Sequence, residues 1–175
     1  MKRWMKGSML VLAGVVLGVP LMSMAYYTMV RTSTPQFCAL CHEIQPAYND
    51  WKTSSHGFNE QGVVADCMDC HLPAPHDTFN FFYKKAYHGL KDVFAHIVLK
   101  DYDRAKNREH AYQDIANAQC MKCHRNLLYL PDKRGAMLAH RTVIYPRAGY
   151  EKKCTDCHRN LVHRPKSQYV YAEEY

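Results

Sequence analysis

A motif of two cysteines separated by two residues and followed directly by histidine occurs four times in this chain. The copies use all eight cysteines of the 175 residues. This spacing is the attachment signature of c-type haem, in which both thiols form thioethers with one porphyrin and the histidine binds its iron. The sequence therefore predicts four covalently bound haem c groups. Their binding residues are Cys38, Cys41 and His42; Cys67, Cys70 and His71; Cys120, Cys123 and His124; and Cys154, Cys157 and His158.

Other kinds of cysteine chemistry explain less of this pattern. Zinc sites and thiol redox pairs also use C-x-x-C, but neither requires a histidine directly after every pair. A disulfide between residues three apart closes a very small loop, so it constrains the chain little. Covalent haem accounts for the cysteines and the histidine of every copy.

The predicted fold is mainly α-helical with long loops, and consists of one N-terminal transmembrane helix and a compact multihaem cytochrome c domain. Beyond residue 31 the chain offers only about 36 residues per haem, too few to wrap four porphyrins and also bury a large apolar core. The haem groups are therefore expected to form the core. Because c-type haem is attached outside the bacterial cytoplasm, residues 32–175 are predicted to be a periplasmic domain.

The formal charge of +7 does not by itself indicate nucleic-acid binding. No nucleic-acid recognition motif accompanies the charge. Each haem carries two propionates, and the 23 lysines and arginines can pair with these negative groups. We therefore predict no nucleic-acid partner.

Residues 1–31 are predicted to be a membrane anchor in the lipid bilayer. The run from Gly7 to Val30 has 24 residues without a charge, and as a helix it spans about 36 Å, more than a bilayer core of about 30 Å. Basic residues before it keep the N-terminus cytoplasmic, so a single pass through the inner (cytoplasmic) membrane is expected. A cleaved signal peptide is the alternative, because Ser23-Met24-Ala25 fits the small-x-small rule before a cut.

The longest haem-free stretch is predicted to contain a helix over residues 79–100. On a 3.6-residue period, Lys85, Asp92 and His96 lie within about 20° of one line, and His88 lies near its edge. This face could line a haem while apolar side chains lie against the membrane. The segments that follow are predicted to be a solvated turn up to residue 108 and a helix over residues 109–118.

The domain has the pattern of an internal duplication, with dihaem units over about 32–76 and 109–163. In each unit a lone histidine lies between two haem motifs, and another follows the second motif histidine by five residues. These histidines are His56 and His76 in the first unit, and His140 and His163 in the second. Ligands donated across the two halves would tie the units together.

The whole pattern resembles the NapC/NirT family of membrane-anchored tetrahaem quinol dehydrogenases, and its short NrfH-like branch in particular. The resemblance covers nearly the whole chain, and its motifs are specific when taken together. They are the N-terminal anchor, four haem motifs in this order, Ser-Ser-His56, Cys-His71-Leu-Pro, a Lys-Ala…Lys-Asp helix and Cys-His158-Arg-Asn-Leu-Val-His163. Members oxidise menaquinol or ubiquinol and pass the electrons to a periplasmic reductase, so the resemblance implies the same activity here.

The resemblance also implies, by position, the axial iron ligands of three haems. These are His71 with His163 at haem 2, His56 with His124 at haem 3, and His158 with His140 at haem 4. Duplication symmetry leaves His76 open as a rival to His140.

Haem 1 is where the chain departs from the NrfH-like pattern. Those proteins have a ligating Met two residues after the motif histidine, where this chain has Ile44, whose side chain cannot ligate iron. His42 is then the expected ligand of haem 1, and its partner on the other face stays open.

The family places a quinol-contacting lysine and an acid near haem 1 at the positions of Lys85 and Asp92. The resemblance thus implies that Lys85 hydrogen-bonds quinol and that Asp92, with His88 or His96, takes protons. The residues alone favour a pair of Lys85 and Asp92 on an exposed helix, and the resemblance reverses this preference.

The short chain points to pentahaem cytochrome c nitrite reductase as the terminal reductase, with reductases of nitrate or trimethylamine-N-oxide as alternatives. A different class is a plain anchored electron carrier, which takes electrons from another protein and never contacts quinol. Direct reduction by a menaquinol analogue separates the two classes.

Overall fold

The computed structural model describes residues 2–74, 76–99, 102–129 and 134–164. These parts of the chain contain α-helices joined by turns and loops, and they contain no β-strand, which confirms the predicted mainly α fold. The helices are α1 (Lys2–Arg31), α2 (Pro35–Cys38), α3 (Gln45–Lys52), α4 (Cys67–His71), α5 (Thr78–Val98), α6 (Arg104–Asp114), α7 (Asn117–Cys120), α8 (Arg134–Ile144) and α9 (Cys154–Cys157).

The N-terminal helix α1 has the length and composition of a membrane span. Within its segment Trp4–Arg31, an 18-residue window has a mean hydropathy of 2.1, and none of that window is buried against the rest of the chain. At about 1.5 Å per residue it is longer than a bilayer core is thick. Pro20 lies inside the helix without ending it. One apolar helix at this position fits the predicted single anchor, although a signal sequence has the same character.

The long helix α5 follows the predicted haem-free helix closely. It begins at Thr78 and ends at Val98, whereas the predicted helix ran from residue 79 to residue 100. Residue 100 itself lies outside the described residues. Phe81 is its one buried residue. Most of its other large apolar side chains are exposed, among them Phe82, Leu90 and Phe94. The helix therefore leaves an apolar surface, as an element placed against a membrane would.

The segment before the third haem motif differs from its prediction. Helix α6 already begins at Arg104, because the side chain of Asp103 caps it by accepting a hydrogen bond of 3.0 Å from the backbone N–H of Lys106. Helix α6 ends at Asp114, and the short α7 follows separately. The predicted turn up to residue 108 and the single helix over 109–118 were wrong, because the capping role of Asp103 was not recognised.

The described residues contain very little apolar core. Leu72 and Phe81 are the buried hydrophobic residues, and no large side chain is completely buried. Long-range order comes instead from polar contacts. The indole N–H of Trp51 donates to the carbonyl of Ala65 at 2.8 Å, and Arg104 of α6 forms an ion pair with the buried Asp50 of α3. Side-chain packing alone would hold this fold weakly.

The helices at the four haem motifs repeat in pairs. Helices α2 and α7 end at the first cysteine of their motifs, whereas α4 and α9 begin at the first cysteine of theirs. In both α4 and α9, the carboxylate between the two cysteines accepts a hydrogen bond from the backbone N–H before the helix. These carboxylates are Asp69, at 2.9 Å, and Asp156, at 2.8 Å. The duplication stays a prediction, and this local geometry is what it would produce.

Candidate haem-binding site

The four haem motifs lie next to one another in chain order. The thiols of Cys38 and Cys67 are close enough to interact, and this contact lowers the pKa of Cys38 and raises that of Cys67. The thiols of Cys120 and Cys154 make the corresponding contact between the third and fourth motifs. Two porphyrins attached to touching cysteines must themselves lie close together.

Lysine 122 joins the second motif to the third. Its ammonium group donates hydrogen bonds to the backbone carbonyls of Asp69, at 2.8 Å, and Leu72, at 3.0 Å. Helices α4 and α7 pack side by side at this junction. The four motifs thus form a continuous series rather than four isolated sites.

Three motif histidines each have one histidine ring from a distant part of the chain beside them. The ring centroids are 6.2 Å apart for His71 and His163, 6.1 Å for His56 and His124, and 6.1 Å for His140 and His158. Two of these pairs join the first half of the domain to the second. The sequence-predicted ligands are therefore brought together as pairs.

These separations fit one metal ion between two imidazole rings. Two metal–nitrogen bonds, each about 2 Å long, separate the two ligating nitrogens. Adding the distance from nitrogen to ring centre in each of the two rings gives a centroid separation of roughly 6 Å. The Nδ1 atoms of His56 and His163 are buried; that of His56 makes no hydrogen bond within the described residues, whereas the ring of His163 interacts with the backbone of Ala47. Burial lowers the pKa of both rings, which keeps them in the neutral form that binds metal. The residues present fit haem iron.

His71 is the most strongly perturbed ring of the set. The His71 side chain keeps part of its surface accessible, but many protein atoms surround it and reduce its contact with water. The ring of His163 lies beside it. Exclusion of water and, secondarily, the nearby His163 lower the pKa of His71 to about 4. This ring is neutral at physiological pH.

A tight loop holds His56 in place. The hydroxyl of Ser54 donates to the carbonyl of Trp51 at 2.7 Å and accepts from the backbone N–H groups of His56 and Gly57. Gly57 has to be glycine here, because a Cβ atom would clash with the carbonyl oxygen of Trp51. The Ser-Ser-His56-Gly sequence is thus a turn that presents the histidine ring.

His140 and His76, the two rival ligands of haem 4, lie in different surroundings. His140 is half-buried on α8, with its ring next to that of His158. His76 is exposed in the turn before α5, and the described structure shows no ring contact for it. The structure therefore brings only His140 next to the fourth motif histidine.

On α5, Lys85 points towards the segment that links α1 to the first haem motif. Its ammonium group donates to the hydroxyl of Ser33 at 2.7 Å and to the carbonyl of Thr32 at 3.3 Å, and the sulfur of Met68 lies at 3.8 Å. Burial lowers the pKa of Lys85. Ser33 and Met68 were not predicted as neighbours, because no sequence pattern connects them to α5.

Asp92 lies two turns farther along the same helix. Its side chain reaches the surface, but loss of hydration against the neighbouring protein raises its pKa, and nearby His88 and Lys91 oppose this shift. The described contacts include no ion pair between Lys85 and Asp92. The two residues thus do not form the surface pair that the residues alone allowed.

His96 and His42 meet at a residue that sequence reasoning missed. The Nδ1 atom of His96 lies 3.0 Å from both carboxylate oxygens of Glu43, and Nε2 of His42 lies 3.0 Å from one of them. The ring centroids of His42 and His96 are 5.5 Å apart. The available signal was position: Glu43 is an acid directly after a motif histidine, where the other motifs have Leu72, Arg125 and Arg159.

Comparison with known proteins identifies relatives of this chain. Cytochrome c-type protein TorC of Escherichia coli K12 is 32% identical over 126 residues, which cover 66% of this chain but only 32% of TorC. Tetraheme c-type cytochrome CymA of Shewanella oneidensis is 29% identical over 129 residues, 67% of each chain. The matched part of this chain therefore corresponds to about a third of the length of TorC.

A solved structure has a similar fold. It is a chain of the cytochrome c nitrite reductase NrfHA complex bound to the inhibitor HQNO, with a TM-score of 0.57 and 28% identity. The match covers 90% of this chain and 94% of that one. Residues 1–168 match the family model described as the NapC/NirT cytochrome c family, N-terminal region. With that match over nearly its whole length, this chain belongs to the NapC/NirT cytochrome c family, whose c-type cytochrome character implies covalently bound haem.

Proposed function

We propose that this protein is a membrane-anchored tetrahaem quinol dehydrogenase that passes electrons from the bilayer to a periplasmic terminal reductase. The observation that carries the proposal is the row of adjacent haem motifs, with the Lys85–Asp92 face of α5 beside the first of them. Helix α1 anchors this end of the chain in the inner membrane, with the N-terminus in the cytoplasm and the haem domain in the periplasm.

The four C-x-x-C-H motifs would hold four haem c groups, each of which supplies reversible one-electron transfer when bound. His71 with His163, His56 with His124, and His140 with His158 are the proposed axial pairs of haems 2, 3 and 4. Their ring separations support this assignment. The scarcity of buried apolar side chains supports haem as the core of the domain.

Touching motifs favour a single route for electrons in chain order, from the first motif to the fourth. The cysteine contacts join the first motif to the second and the third to the fourth, and Lys122 joins the second to the third. The protein's contribution is to fix these distances and the axial ligands. The exit is proposed at the fourth motif, the end farthest along this series from α5.

Quinol oxidation releases two electrons and two protons, so the protein must accept protons as well as electrons. Lys85 is proposed to donate a hydrogen bond to one quinol oxygen, and Asp92 to accept the two protons in turn, one as each electron leaves quinol. The raised pKa of Asp92 brings its proton affinity closer to that needed at neutral pH. His88, whose charge influences Asp92, is proposed to take the proton onward.

Cytochrome c nitrite reductase is the proposed partner, because the solved neighbour that this chain covers almost completely comes from an NrfHA complex. A periplasmic reductase of another substrate, such as nitrate or trimethylamine-N-oxide, is the second candidate.

Direct reduction by quinol tests the proposal. We expect oxidised, purified protein in detergent to develop the absorption bands of reduced haem c when mixed with a menaquinol analogue, and HQNO to slow this reaction. Dithionite defines full reduction, and an intact mass equal to the chain plus four haems confirms the cofactor content. Haem that dithionite reduces but the quinol analogue does not would indicate a plain electron carrier instead.

Substitution of His140 should change one haem, because its ring lies beside that of His158. We expect His140→Ala to convert one low-spin ferric haem to high spin in the electron paramagnetic resonance (EPR) spectrum, with four haems still attached. His76→Ala is the matched control and should leave the spectrum unchanged. The opposite result for these two variants would make His76 the ligand.

A further inference from the structure

We propose that His96 is the second axial ligand of haem 1 and binds the iron from the face opposite His42. This inference rests on the proposed attachment of haem at the first motif. Every other motif histidine has one ring from a distant segment beside it, at 6.1 to 6.2 Å. His42 has such a neighbour in His96, at 5.5 Å. The fourth pair resembles the other three, although its rings lie 0.6 to 0.7 Å closer together (6.1 or 6.2 Å less 5.5 Å).

The residues next to His42 do not supply a second ligand for the iron of haem 1. Ile44 occupies the position two residues after His42 and carries no donor atom. A haem iron with one protein ligand is five-coordinate, whereas paired histidines make it six-coordinate and low-spin. His96 approaches from α5, an element separate from the motif, so it can reach the face that residues next to His42 cannot.

Glu43 orients His96 for this role. Its carboxylate oxygens both lie 3.0 Å from Nδ1 of His96, which leaves Nε2 as the free donor atom. Metal-bound histidines commonly donate their other ring N–H to a carboxylate, which fixes the ring and raises its basicity. The side chain of Glu43 is 15% exposed and that of His96 is 42% exposed, so the contact lies at the edge of the described fold.

Glu43 itself is the main competitor for the iron. Together with Cys41 and His96, it forms a group whose donor atoms lie within 4.8 Å of one another. However, Glu43 directly follows His42, and its short side chain cannot pass round a porphyrin to the opposite face. The Cys41 sulfur is committed to a thioether, so a separate metal site made of these three residues lacks a thiolate ligand. Glu43 therefore has a positioning role towards Nδ1 of His96, whereas Nε2 of His42, which lies 3.0 Å from the same carboxylate, would move away from Glu43 to bind the iron.

The spin state of the ferric protein tests the assignment. We expect wild-type protein to show only low-spin ferric haem in its EPR spectrum. His96→Ala should produce a high-spin signal that integrates to one haem of four, and added imidazole should return that haem to low spin. His88→Ala is the matched control on the same helix and should leave all haems low-spin.

Two further variants keep the test decisive. If His96→Ala is not assembled, His96→Met retains a ligand and should show the far-red charge-transfer band of Met-ligated ferric haem. Glu43→Gln should keep haem 1 low-spin and raise its midpoint potential, because a less basic ligand stabilises ferric iron less.

High-spin haem in the wild type, or a fully low-spin spectrum in His96→Ala, would overturn the assignment of His96. If intact mass still shows four haems, either result leaves the proposed function intact. Fewer than four haems in the wild type would instead contradict the proposed function.

Discussion

Replacing Asp92 by Asn should slow quinol oxidation by at least about 100-fold, because a positioned proton acceptor contributes on the order of 10²–10⁴ to a rate. Asn has the size of Asp but cannot take the proton that leaves quinol. The four haems should remain attached, since among the described residues no hydrogen bond or ion pair joins Asp92 to a motif cysteine. Stopped-flow reduction by a menaquinol analogue measures the rate, and intact mass measures the haem content.

The pH dependence gives this variant a second readout. Asp92 accepts a proton only when ionised, and its pKa is raised, chiefly by loss of hydration. In the wild type, the rate should therefore fall as pH decreases through this raised pKa, at a higher pH than for an ordinary carboxyl group. Asp92→Asn should lose this limb of the profile.

The control for Asp92→Asn is Lys84→Gln, which changes a charge on the same helix outside the line of Lys85, Asp92 and His96. We expect it to keep the wild-type rate and pH profile. If Asp92→Asn oxidises quinol at the wild-type rate, the proton leaves by another group, and His88 is then the first candidate to replace. A slow variant that also lacks haem would point to a folding defect.

The parts of this protein that depend on neighbouring residues in sequence could be predicted. C-x-x-C-H carries its chemistry within five residues, and α1 and α5 follow from an uncharged run and a helical period. For the same reason, the mainly α fold and the family were predicted correctly. The start of α6 was missed although its signal, Asp103 before the helix, is also local.

Contacts between distant segments were harder to predict from the sequence. The pairing of His56 with His124 was inferred only through the family resemblance, because nothing in either local sequence names the other. Glu43 was missed because its contact with His96 joins residues 53 positions apart. Haem-dominated folds make this harder still, since a cofactor core replaces the apolar periodicity that normally shows which faces meet.

Replacing Arg104 by Met should cost this domain about 3–5 kcal/mol, the range for breaking a buried ion pair by removing one partner. Arg104 is the first residue of α6, and its guanidinium pairs with Asp50 of α3, whose side chain is 4% exposed. The substitution leaves a buried carboxylate without its counter-charge. With so few buried apolar side chains, the fold has little else to offset that loss.

Guanidinium denaturation of the haem-loaded protein in detergent, followed by visible absorption and circular dichroism, measures this loss. Arg159→Met is the matched control, because it removes an arginine from an exposed pair with Glu109 and should change the midpoint little. The double variant Asp50→Leu with Arg104→Met should recover most of the stability, since it removes both buried charges together. Equal midpoints for Arg104→Met and Arg159→Met would show that the α3–α6 pair does not hold the domain together, and that the covalently bound haem groups alone do.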